Sequence, residues 1–196
     1  MNTIATQIPT SKDFEQLKTQ PKTTRATGRA ESLADRIEEG AALLAAFAEG
    51  LSEEEWRAPV SATDRRSVGL IVHHVASMYP IEIDVARAIA SRKAVTDVTW
   101  DVVAELNAKH AYEHAEETKA AALELLRWHS CEAANAVRAF TDEELDRAAP
   151  FSLSFGAPVT AQFVIEDHAL RHSWHHLARI RAALGRCFRS WAVPDH

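Results

Sequence analysis

The segment "EDHALRHSWHHLARI", residues 166–180, concentrates four histidines, His168, His172, His175 and His176, in a chain that has ten in all. His172 and His176 are spaced i, i+4, which on a helix stacks two side chains on one face. That face continues through Ile165, Ala169, Ile180 and Ala183, so the pair is expected to point into an apolar interior. A second pair sits in "IVHHVASMYP". There His74 aligns with Leu70, Ile71, Met78 and Ile81, whereas His73 aligns with Gly69, Ser77 and Pro80, a less buried direction. Three imidazoles from two helices, His74, His172 and His176, suit one divalent transition metal with positions left open for water or substrate. Zinc or nickel is the expected ion, and iron and manganese accept the same donors.

An i, i+4 histidine pair on one helix is by itself more often structural than ligating. Three neutral imidazoles buried together each need a partner for their polar nitrogens, however, and a shared cation serves all three. His175 falls at the edge of the stripe beside Arg171 and Arg179, and His168 near it without a clear assignment. His110 and His114 also stand at i, i+4, but among Asn107, Lys109 and Glu113 they read first as a solvated face or pocket rim. Glu166, Asp167 and Asp84 read as surface charges before they read as groups that orient a ligand. Arg171 and Arg179 read as solvated before they read as attracting an acidic substrate. Cys131, in "RWHSCEAANA", is expected to be a small buried thiol. Trp100, Trp128 and Trp174 are expected in the core or at an interface. No catalytic acid, base or nucleophile is assigned.

The elements that must carry these side chains are helices. A helix is expected from about Ala30 to Ala48, and "SEEEW" offers a capping box of Ser52 with Glu55. A long second helix should follow "TDRRS", capped by Thr63 or Asp64, with a kink at Pro80. Residues 101–140 are helical in pattern with a break near Glu116–Thr118, "TDEEL" is another capping box, and "PFSLSFGAP" is irregular or hairpin-like. The last helix runs from near Thr160 to Gly185. This is an all-α pattern: an up-and-down four-helix bundle with short extra helices, spanning residues 28–196, behind a polar N-terminal arm at residues 1–27. In such a bundle the second and fourth helices run in the same direction. His74 then lies roughly 15 Å along its helix and His172 and His176 about 18–24 Å along theirs, near one layer.

Composition narrows the function classes. A formal charge of −6 and no long basic run argue against nucleic acid as a partner. No stretch reaches membrane-span length, and no signal peptide is visible, so a cytoplasmic protein with no membrane partner is expected. Cys131 and Cys187, the two cysteines, have no metal-binding spacing and read as free thiols.

"SVGLIVHHVAS" followed far downstream by "RHSWHHLARI" resembles the DinB-like superfamily of metalloenzymes, and "LSEEEWRAP", "LNAKHA" and "FTDEELDR" extend the likeness over most of the chain. The resemblance implies a metal held by His74, His172 and His176. Arg179 stands where some relatives have a further histidine. It also implies a metal-dependent hydrolase or an S-transferase that uses a low-molecular-weight thiol on a small-molecule substrate, with a homodimer as the family habit. The competing reading is a non-catalytic metal-binding or stress-related module with a structural or vestigial site.

Overall fold

The computed structural model describes residues 28–186. The arm expected at residues 1–27 and Cys187 lie outside the described residues. In chain order come α1 (Gly28–Glu49), α2 (Glu53–Arg57), α3 (Val68–Ala90), α4 (Trp100–Glu113), α5 (Lys119–Arg138) and α6 (Asp142–Asp146). A two-stranded antiparallel hairpin follows, β1 (Ala148–Pro150) and β2 (Pro158–Thr160), with a 3-10 turn (Ser152–Ser154) at its tip. The last rod is α7 (Ala161–Val164), a π-helical stretch (Ile165–Leu170) and α8 (Arg171–Ala183).

Local chemistry accounts for most boundaries. Ser52 with Glu55 and Thr141 with Glu144 form reciprocal capping boxes at α2 and α6. Thr118 and Thr160 cap α5 and α7 through their side chains. Gly185, at φ 64°, ends the last rod in the left-handed region that glycine adopts at least cost. The cap of α3 is Ser67, not Thr63 or Asp64. The Asp64 carboxylate is instead taken up by the guanidinium groups of Arg66 and Arg179.

Helix α3 continues through Pro80. Proline has no N–H to donate, so the Ala76 carbonyl loses its partner one turn back. His129 of α5 supplies the replacement: its Nδ1–H donates to the Ala76 oxygen at 2.8 Å.

The four long helices form the expected bundle, and their order around it departs from simple succession. Helix α1 packs on α5 and α8, and α3 packs on α5 and on the last rod, so α1 and α3 stand at opposite corners. Directions follow from the side-chain pairs. Arg127 meets Glu49 while Arg138 meets Glu31, Asp35 and Glu38, so α5 is antiparallel to α1. The Trp174 indole donates to Arg36 O and Arg181 lies over Phe47, so α8 is parallel to α1. Arg179 reaches Asp64 and His172 reaches Glu82, so α8 is antiparallel to α3. The expectation that the second and fourth helices share a direction is therefore overturned. The segment from residue 91 to 118, which contains α4, carries the chain back along the bundle so that α5 starts level with α3.

The core is aliphatic, with Leu33, Ile37, Leu44, Ile71, Ile89, Leu126, Leu145, Ile165, Leu177 and Ile180 buried. Two glycines allow tryptophans to approach a helix closely: a Cβ at Gly40 would overlap Trp174, and one at Gly69 would overlap Trp56. Inside the core, the Tyr79 hydroxyl and Ser173 Oγ share a hydrogen bond of 2.6 Å between α3 and α8. Trp100 is exposed, contrary to a core placement. Among the described residues no helix is long and apolar enough to cross a membrane.

Candidate metal centre

Helices α3 and α8 run antiparallel, and the stretch of α3 from His74 to Glu82 lies against the first half of α8. His74 and His176 are buried and His172 is half-buried. One ring nitrogen from each of the three lies within 4.8 Å of the others. The Nε2 atoms of His74 and His172 are 3.3 Å apart, and the ring of His176 stands 5.0 Å from that of His172 and 5.7 Å from that of His74.

The hydrogen atoms follow from the surroundings. The Glu82 carboxylate accepts only, so the 2.6 Å contact fixes a proton on His172 Nδ1, which donates to Glu82 Oε1. His172 Nε2 is thereby turned away from Glu82 and faces His74 Nε2. His176 Nδ1 and Glu82 Oε2 are buried without any hydrogen-bond partner. Burial, reinforced by the other imidazoles, pushes His74 down to about 3 and lowers His176 as well. Burial thus keeps His74 and His176 neutral, a carboxylate orients His172, and one buried imidazole nitrogen has no hydrogen-bond partner. This donor set fits a divalent cation.

Around it the structure revises several expectations. Ile81 and Ala183, placed on the inward stripes, are exposed. The π-helical stretch ahead of α8 and the antiparallel crossing turn Ser173, His176, Leu177 and Ile180 inward. His175 lies exposed at the edge, as its spacing suggested, and His168 is half-buried with its ring edge on Phe151. Asp84 pairs with Arg87 on the surface, Asp167 with Arg171, and Glu166 accepts from Gln162. None of these carboxylates orients a triad imidazole by direct hydrogen bond; Glu82 does so for His172. Sequence spacing does not single out Glu82, which lies eight residues after His74, just over two turns along α3. Cys131 is exposed, not buried, and belongs to neither histidine cluster.

His73 is buried, against the reading of its helix face. It meets His110 and His114 from α4, again with ring nitrogens within 4.8 Å of one another. Its Nδ1 is 2.9 Å from His110 Nε2, and its ring stacks on His114 at 4.1 Å. Burial and the neighbouring imidazoles push His73 down to about 4 and lower His110.

A cavity of about 480 Å³ opens beside His74 and His172. Its walls are apolar, from Met78, Val85, Val103, Leu106, Phe151 and Val164, with Glu82, His110, Lys109 and Arg171 among the polar groups. His110 and His114 thus stand on its rim. Among the described residues, a larger cleft of about 740 Å³, bounded by Glu49, Glu53, Trp56 and Lys119, has no grouping of metal-ligating side chains. His74, His110, His114 and His172 line the smaller cavity.

Comparison with known proteins bears on the fold and the family. No curated protein matches the chain. Among solved structures it is similar to YfiT from Bacillus subtilis, described as a probable metal-dependent hydrolase with an unusual four-helix bundle topology. The TM-score is 0.65 at 18% identity, covering 85% of this chain and 92% of that one. The model of the DinB superfamily matches residues 36–180, and the chain belongs to that family.

Proposed function

We propose that the chain is a metal-dependent enzyme. His74, His172 and His176 hold one divalent ion, and a small molecule in the adjoining cavity is attacked by a water or by a low-molecular-weight thiol. One observation carries this reading: the three histidines stand together beside a cavity of about 480 Å³ that His74 and His172 line. A structural metal site would be closed on all sides. A bound divalent ion supplies Lewis acidity, which acidifies a water or attracts a thiolate.

The chain's own residues define the rest. Glu82 holds the His172 ring in one tautomer and one orientation. Met78, Val85 and Phe151 suit a substrate with an apolar body, and Arg171 and Lys109 suit an acidic group on it. The description of YfiT supports the hydrolytic branch, and the cavity accommodates either nucleophile. Metal-loaded protein should be assayed against a panel of esters and amides, and against thiol–electrophile pairs. Turnover in one panel, abolished by chelator, restored by metal and lost in His74→Ala, is the expected result. Turnover indifferent to chelator contradicts the proposal, as does metal retention with no turnover in either panel and a bundle that unfolds on metal removal.

A further inference from the structure

We propose that His73, His110 and His114 form a second transition-metal site, and that an ion bound there fastens α4 to α3 over the rim of the cavity. The three side chains bring ring nitrogens within 4.8 Å of one another without sharing a residue with the His74, His172 and His176 group. Their surroundings prepare donors as the first cluster's do. Glu117 Oε2 lies 3.4 Å from His114 Nδ1, a proton on which leaves Nε2 as the free lone pair. Ser77 Oγ donates to the His73 carbonyl at 2.9 Å, anchoring the helix turn that carries the ring.

The direct contact of His73 Nδ1 with His110 Nε2 needs one proton between two nitrogens. A cation replaces that proton and engages His114 as well. Three imidazoles are a common donor set for zinc, nickel, copper or cobalt.

The consequence for α4 follows from its sequence. Its 14 residues bury no side chain, so it has no core stripe to hold it on the bundle. His110 and His114, at its C-terminal end, supply contacts to α3 through His73. The same helix contributes Trp100, Val103, Leu106 and Asn107 to the cavity wall. Metal binding at the second cluster therefore sets how firmly that wall is held.

The test is titration of the metal-free protein with Co²⁺, read by its visible ligand-field absorption and by hydrogen–deuterium exchange. Wild type is compared with His172→Ala/His176→Ala and with His110→Ala/His114→Ala. The second pair removes no core side chain, so its fold is preserved. Wild type should bind two equivalents. The His172→Ala/His176→Ala protein should keep one, and that one should slow exchange across residues 100–113 by at least about tenfold. The His110→Ala/His114→Ala protein should lose one equivalent together with that protection. Failure of the first site alone gives one equivalent in wild type that only the α4 substitutions remove, which still supports the second. The proposal is overturned if the His172→Ala/His176→Ala protein binds none, or if α4 exchange is the same with and without Co²⁺.

Discussion

At the scale of single residues, the pairing of His172 with Glu82 organises the centre. Replacing the carboxylate by an amide keeps the shape and removes the charge that holds His172 Nδ1–H. Glu82→Gln should weaken metal affinity by about 10–100-fold while leaving the far-ultraviolet circular dichroism unchanged, as metal titration would show. Unchanged affinity would assign Glu82 to packing alone. Helix spacing in the sequence puts His172 and His176 on one face, because residues four apart stack whatever the rest of the fold does, and the apolar neighbours Leu70 and Ile71 mark the side of His74 as inward. Glu82 and His73 were not legible in the same way. A lone glutamate between two isoleucines carries no motif. The burial of His73 depends on α4 lying against α3, a contact between helices that periodicity within one helix does not report.

At the scale of elements, most helix boundaries were readable from their caps, since a capping serine or threonine acts on the adjacent backbone alone. The direction of α8 against α3 was not, because it depends on the long return through α4. Two devices fix α3 in place. The Ala76 carbonyl freed by Pro80 is taken by His129, so His129→Ala should cost about 1–2 kcal/mol in urea denaturation. In a Pro80→Ala background, where residue 80 can again donate to that carbonyl, the cost should fall markedly. Equal costs in both backgrounds would show that His129 does not compensate for the proline. Gly69 faces the indole of buried Trp56, so Gly69→Ala should destabilise by about 1–3 kcal/mol despite the better helix propensity of alanine. A stabilised variant would mean that Trp56 moves freely.

At the scale of the whole molecule, a bundle that buries several neutral imidazoles is sensitive to acid. His73 and His74 have ordinary values of 6.5 that the fold pushes down to about 4 and about 3. Between 6.5 and those values the unfolded chain binds protons that the folded chain refuses, so stability falls as pH falls through this window. Each such group contributes a slope of up to about 1.4 kcal/mol per pH unit. Metal-free protein should therefore lose stability progressively from about pH 6.5 downward in denaturant titrations, and a flat profile over that range would contradict the burial assigned to these rings. The central claim concerns what those rings hold. X-ray absorption at the metal edge, on protein carrying His110→Ala/His114→Ala so that only the first cluster remains, tests it most directly. One divalent ion per chain is expected, with a first shell containing three imidazole nitrogens at about 2.0–2.1 Å for zinc, reduced in number by His74→Ala. A shell without imidazole, or one that His74→Ala leaves unchanged, would contradict it.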